Sequence, residues 1–290
     1  MHKILCFLSV ICILTVSANK TTFEKNGITF EKDEHGDYSL STHEIPVLQS
    51  GSISDVEDMK TLYLLDEDFT DMEPGTFQNL PNLKKLIITL NSIPNIKPGI
   101  FNSLTNLTLL NLKANNISHI DSNAFDNMTS LENINLSKNK LTSVDNHWFE
   151  STPSIKLIHI GYNQLKKIPA NVFGNLKSPG PFTLVFNGNK IRKVFKDAFQ
   201  GLGTICMLSL ESNKLKKVNF LEGLEVNVLS VKGNNITCID KEHFDTMFVA
   251  NSTDISENPL GSDCRREIQA WVKEHNKTVE YELSLFSLTF

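Results

Sequence analysis

Residues whose side chains do chemistry are spread thinly along this chain. Beyond residue 18, histidines stand at His35, His43, His119, His147, His159, His243 and His275, with no His-Glu-x-x-His run and no paired Cys/His spacing to gather them on a metal. The stretch GLGTIC, from Gly201, is a glycine-rich match with no strand leading into a phosphate loop. No serine sits in a nucleophile elbow. These residues do not make an active site, and no cofactor or metal is expected. What does recur is positive charge. Lys166-Lys167, Arg192-Lys193 and Lys216-Lys217 are three basic pairs at almost equal intervals, joined by Lys140, Lys190 and Lys214. Their chemistry is attraction of anions.

Charge is segregated along the chain. Residues 31–73 carry 13 acidic and 2 basic side chains, whereas residues 156–217 carry 11 basic and 2 acidic. The whole chain has a formal net charge of −5, so the basic region is not general basicity.

Lys3 precedes an uncharged apolar run from Ile4 to Val16, followed by Ser17-Ala18. That pattern predicts a secretory signal peptide over residues 1–18, too short to span a bilayer. The tail YELSLFSLTF carries Glu282 and reads as neither an anchor nor a lipid-attachment signal. The expectation is a secreted, extracellular protein without a membrane span. Asn-x-Ser/Thr sequons start at Asn19, Asn106, Asn116, Asn127, Asn135, Asn235, Asn251 and Asn276. Asn106, Asn116, Asn127, Asn235, Asn251 and Asn276 are the expected glycosylation sites. Beyond residue 18 the cysteines are Cys206, Cys238 and Cys264, which allow one internal disulfide and one remaining thiol.

A repeat organises everything between. With Leu107 as position 1, apolar residues fall at positions 1, 4, 6, 11, 14, 19 and 22, with asparagine at 9. The frame starts at His35, Met59, Leu83, Leu107, Leu131 and Ile155. It resumes at Pro181 after a two-residue insertion, at Ile205, and at Val226 after a shorter unit. Position 9 reads Asn91, Asn115, Asn139, Asn163, Asn189, Asn213, Asn234 and Asn258. Position 19 reads Phe77, Phe101, Phe125, Phe149, Phe173, Phe199 and Phe244. One such unit cannot bury its apolar face, but a stack can.

The pattern LxxLxLxxNxIxxIxxxxFxxLxx resembles the 24-residue extracellular leucine-rich repeat of Toll-like receptors and small leucine-rich proteoglycans. The resemblance covers residues 35–260 as about nine coils plus a partial one. It implies an α/β solenoid, a horseshoe with a concave parallel β-sheet and an irregular or short-helical convex side. Residues 19–34 read as an N-terminal capping hairpin, with Asn-Gly between two Thr-Phe-Glu-Lys segments. Residues 261–290 resemble a C-terminal cap with a helix whose Ile268, Trp271, Val272 and His275 share one face. The cap departs from its family: Ser262 stands where a first cysteine is usual, and later cysteines are missing. Cys238 offers a substitute, because position 13 of its coil stacks near Cys264 in the next. Cys206 is then a buried free thiol or a point of covalent pairing with a partner chain.

The repeat letters are structural, so function falls to the other positions. Positions 3, 5, 7 and 8 face outward on the concave side. Tyr63, Leu65, Ile87, Leu90, Leu109, Asn111, Lys113, Leu157, His159, Tyr162, Val185 and Met207 form the expected concave binding surface. Asn135 lies on that face too, where a glycan would obstruct it. The second expected surface is a basic ridge of Lys140, Lys166, Lys167, Lys190, Arg192, Lys193, Lys214, Lys216 and Lys217. The expected partner is an extracellular protein or a sulfated or otherwise anionic glycan, not nucleic acid. By resemblance the setting is innate immunity or the extracellular matrix. The alternative is a non-catalytic regulatory or stabilising subunit of a secreted enzyme complex.

Overall fold

The computed structural model describes residues 20–41, 45–248, 250, 252–277 and 279–280. The expected signal peptide, the sequons at Asn19 and Asn251, and the final ten residues lie outside the described residues.

The chain winds into a solenoid whose concave wall is one 13-stranded sheet. Its first two strands, β1 (Thr21–Lys25) and β2 (Ile28–Lys32), pair antiparallel across Asn26-Gly27. Both turn residues have positive φ, 53° and 75°, the conformation a two-residue hairpin requires. β3 (Tyr38–Leu40) pairs antiparallel with β2 and parallel with β4 (Thr61–Leu65), so the hairpin covers one edge of the stack. Parallel strands then follow, one per coil: β5 (Lys85–Thr89), β6 (Leu109–Asn111), β7 (Asn133–Asn135), β8 (Leu157–His159), β9 (Phe182–Val185), β10 (Ile205–Ser209), β11 (Val226–Ser230), β12 (Ser252–Asp254) and β13 (Val279–Glu280).

Position 4 of each coil pairs with position 4 of the next: Leu62, Leu86, Leu110, Ile134, Ile158, Leu184, Leu208 and Leu229 stand in register. The longer step before β9 falls in the connection between strands, and β8 and β9 stay in unbroken register from Leu157–Thr183 to His159–Val185. A separate irregularity lies between β9 and β10. Phe182 pairs with Ile205 but Thr183 with Met207, leaving Cys206 as the extra residue of a bulge.

Two ladders hold the coils together. Each asparagine at position 9 turns inward and satisfies backbone that leaves the strand. The Asn139 amide donates to Leu112 O at 2.9 Å and Leu136 O at 3.0 Å, while its Oδ1 accepts from Asn115 N and Ile117 N, both at 2.9 Å. Asn163, Asn189, Asn213, Asn234 and Asn258 repeat this bonding toward the coil before them. Unpaired backbone groups in such a core would be costly, so the asparagine at this spacing is a structural requirement. The second ladder is aromatic. Phe77, Phe101, Phe125, Phe149, Phe173 and Phe199 are fully buried on the convex side and stack in file, 5.9–6.4 Å between centroids.

Two short helices close the far end, α1 (Phe244–Met247) and α2 (Ser262–Glu274). Ile268 of α2 is buried, and Trp271 packs on Phe244 and Phe248. His275, expected on the same sealing face, is instead exposed past the end of α2 and stacks on Trp271 at 4.1 Å. Cys238 and Cys264 are disulfide-bonded, tying α2 to the preceding coil. Cys206 is buried, 6% exposed.

Candidate binding surfaces

The concave residues arise from the alternation of each strand. Leucine or isoleucine at positions 4 and 6 points into the core, which sends positions 3, 5 and 7 to the other face. In the N-terminal half these side chains surround an open hollow of about 780 Å³. Tyr63, Leu65, Ile87, Leu90, Asn111 and Lys113 line it together with Asp66, Thr89 and Asn135. Lys20 and Glu31, paired at 2.5 Å, stand at its hairpin end.

Two expected surface residues are not on the surface. Ile87 and Val185 are each 7% exposed. Ile87 lies in register between Tyr63 and Asn111 and lines the hollow while almost fully buried, so it forms part of its floor. Val185 stands in register beside His159. Leu109, Leu157 and Met207 are half-buried.

Leu90 and Tyr162 differ from all of these. They are the exposed large hydrophobic residues among the described ones, 60% and 53% accessible. Both occupy position 8, where the chain leaves the strand before the ladder asparagine. That position is left-handed in coil after coil: φ is 57° at Asp66, 63° at Leu90, 58° at Ala114, 56° at Lys138, 55° at Tyr162 and 65° at Gly188. Glycine takes this conformation without cost, but a leucine or tyrosine is strained by about 1–2 kcal/mol. Leu90 and Tyr162 therefore carry strain and exposed apolar area together, neither of which the turn needs. The Tyr162 ring lies against Gly188, where an added Cβ would be 2.5 Å from it, and Lys138 Nζ is 6.0 Å from the ring centre. The left-handed row escaped the sequence reading; the glycines at Gly188 and Gly233 in the same position were its signal.

Beside Tyr162 a small polar cluster fills the middle of the face. The Nε2 atom of His159 and Oδ1 of Asn187 are shielded from water and converge over Gly161. A Cβ on Gly161 would come within 2.1 Å of Asn187 Oδ1 and 2.9 Å of His159 Nε2, so only glycine fits beneath them. Burial pushes the His159 pKa below its ordinary value, opposed by the adjacent Asn187 side chain and assisted by the Lys113 charge.

The basic residues lie on the flank where the chain passes from the concave to the convex side. Lys140, Lys166, Lys167, Lys190, Arg192, Lys193, Lys214, Lys216 and Lys217 are all exposed, and none forms an ion pair with a described residue. Lys167 and Lys193 stand directly in register on neighbouring coils, and Arg192 N donates to Lys166 O at 2.9 Å. The ridge and the hollow are thus on different faces of different halves.

Asn106, Asn116, Asn127, Asn235 and Asn276 are exposed, whereas Asn135 is half-buried in the hollow with its Oδ1 accepting from Ser137 N at 2.9 Å. Exposed Asp240 and Glu242 and half-buried His243 bring three polar side chains within 4.8 Å of one another, with no further sign of a ligand. No helix among the described residues is long and apolar enough to cross a membrane.

The sequence pattern of the leucine rich repeat family matches residues 81–141 and 129–178. No curated protein sequence matches the chain. Among solved structures, the Toll–Spatzle complex from Drosophila is similar at 20% identity with a TM-score of 0.62, over 70% of this chain and 27% of that one. The TLR13 complex with ssRNA13 matches at 19% identity and TM-score 0.57, over 73% of this chain and 32% of that one. The leucine-rich repeat domain of APL1B matches at 23% identity and TM-score 0.54, over 79% and 66%. The chain thus spans about a third or less of the two receptor structures, and likeness at these identities is likeness of fold.

Proposed function

We propose that this leucine-rich-repeat protein is a secreted, non-catalytic binding protein that recognises another extracellular macromolecule, with the concave face as its protein-binding surface. The observation that carries this reading is the pair Leu90 and Tyr162, strained and exposed at turns that glycine would serve. Aromatic and aliphatic anchors of this kind beside a hollow are what a binding surface uses. The neighbouring hollow, with an apolar floor at Ile87 and charged residues at its edge, has the apolar-centre and polar-rim arrangement of protein interfaces. The basic ridge adds a second surface, suited to anionic ligands.

Secretion is supported by the apolar N-terminal run, the exposed sequons and the Cys238–Cys264 bond. The setting we assign is innate immunity or the extracellular matrix, where secreted repeat proteins of this fold act. The experiment is isolation of the native secreted species with any stoichiometric partner, beside a Leu90→Gly/Tyr162→Gly variant. The reading predicts a partner present with the native chain and lost with the variant. A partner retained at full stoichiometry by the variant contradicts it.

A further inference from the structure

The basic ridge is bounded at both ends by sequons that lie in its own row. Position 10 of successive coils reads Ser92, Asn116, Lys140, Gln164, Lys190, Lys214 and Asn235. These residues are physically adjacent. The backbone N–H groups of Lys140, Gln164, Lys190, Lys214 and Asn235 each donate to the position-11 carbonyl of the coil before, at 2.7–2.9 Å. The Asn116 amide reaches Ser92 Oγ at 3.3 Å, one coil earlier. Asn116 and Asn235 are both exposed, and both begin an Asn-x-Ser/Thr sequence. Between them this row holds no sequon and no acidic side chain, and the three basic pairs lie alongside.

We infer that the ridge is a glycan-free track for a linear sulfated polysaccharide, laid along the solenoid axis and limited in length by carbohydrate at Asn116 and Asn235. This rests on the reading of the chain as a secreted anion-binding protein. Five coil steps separate the two asparagines, which at the inter-strand spacing is about 25 Å. The direction follows from the pairs: three successive coils present Lys166-Lys167, Arg192-Lys193 and Lys216-Lys217 at the same repeat positions, so a strand of repeating anionic groups crossing those coils meets a new pair at each of them. Residue type favours this ligand over a protein. Interface centres are apolar and depleted of lysine, whereas the outward side chains here are lysines with one arginine and Gln164, and position 11 is buried at Leu165, Ile191 and Leu215. Lysines act as separate point charges with mobile stems, suited to sulfates at variable positions and not to one fixed bidentate geometry. Nucleic acid is less suited, because single strands need aromatic platforms for stacking. The ring at the ridge, Phe195, already lies under Lys193 Nζ at 4.2 Å.

The test uses the glycosylated secreted protein and heparin-derived oligosaccharides graded from tetrasaccharide to dodecasaccharide, with affinity measured by calorimetry at 50 and 200 mM salt. Affinity should rise with length and level off once the track is filled, and should fall about tenfold or more across the salt step, as ions displaced from a polyanion return. A variant with all three pairs changed to serine should lose the salt-sensitive binding while keeping its circular dichroism spectrum. With Asn116→Gln/Asn235→Gln, affinity should continue to rise beyond the length at which the glycosylated protein levels off. No binding at any length, or binding indifferent to the six serines, overturns the anion-binding reading itself. Binding lost with the serines but levelling off at the same length in the Asn→Gln variant overturns the bounded track alone. Tighter binding of an acidic peptide or of single-stranded DNA of equal charge overturns the ligand class.

Discussion

Replacing Leu90 by glycine separates the two reasons a leucine can stand at an exposed turn. If the fold needs it, its removal costs stability; if a ligand needs it, stability barely moves. The backbone there has φ 63°, so glycine relieves about 1–2 kcal/mol of left-handed strain. Against this, glycine adds unfolded-state entropy worth about 0.5–1 kcal/mol. The side chain is 60% exposed, so the burial lost is a minor share of the ~1.5–3 kcal/mol for a fully buried leucine, about 0.6–1.2 kcal/mol. The contributions offset one another to within about 1 kcal/mol. The same change at Leu110, fully buried on the neighbouring strand, should cost more than about 3 kcal/mol. Urea denaturation followed by circular dichroism measures both, and titration of the co-purifying partner measures binding. Leu90→Gly should leave the midpoint nearly in place and weaken binding about tenfold or more, as loss of an interface anchor does. A stability loss above about 2 kcal/mol with binding intact would show that Leu90 serves the fold, and the argument from strain would fail.

Other consequences follow from the same geometry. Asn139→Ala strips partners from two buried N–H groups and from the carbonyls of Leu112 and Leu136, so it should cost about 3–5 kcal/mol, with hydrogen exchange localising the loosening to residues 107–163. Gly161→Ala should cost about 1–3 kcal/mol by driving a methyl group into Asn187, and Asn187→Gly should recover part of that loss in the double variant. Burial lowers the His159 pKa in the folded chain, so the unfolded chain takes up the proton first as pH falls. Its contribution to stability is therefore complete above the ordinary value of 6.5 and is lost as pH drops through the folded pKa. His159→Gln should flatten the stability profile in that acid range, and an unchanged profile would count against the buried neutral ring. Cys264→Ser opens a loop of 26 residues and should cost up to about 3.5 kcal/mol, visible as earlier proteolysis of the C-terminal helix.

Most of the fold was legible because it is periodic. An apolar residue at positions 4 and 6 of every coil, followed by an asparagine three residues on, leaves one consistent arrangement, and Leu110, Leu112 and Asn115 adopt it. The hairpin was legible from Asn26-Gly27 for a local reason, the positive φ that both residues tolerate. The surfaces were harder. Positions 3 and 5 point away from the core, but pointing outward is not the same as being exposed. Ile87 is buried although it points outward, flanked in register by Tyr63 and Asn111, residues 24 positions away on either side. The left-handed backbone at position 8 was hidden because Leu90 and Tyr162, the residues that make it informative, are the ones that argue against it by type. The two extra residues before Pro181 fall in the connection ahead of β9, whereas the one-residue bulge at Cys206 interrupts the next pairing and was not written in the period. The basic ridge was readable as pairs; that sequons close its two ends became visible only when the backbone hydrogen bonds placed Asn116, Lys140 and Asn235 in one row.

The central claim is that the concave face, at Leu90 and Tyr162, holds the ligand. It is tested most directly by placing a photo-crosslinking residue at position 90 of the secreted protein, with a control at exposed Glu150 on the opposite side, and irradiating each in its native fluid. The account predicts one dominant adduct from position 90, absent from position 150 and suppressed by Tyr162→Gly. The same adducts from both positions, or adducts from position 150 alone, would contradict it.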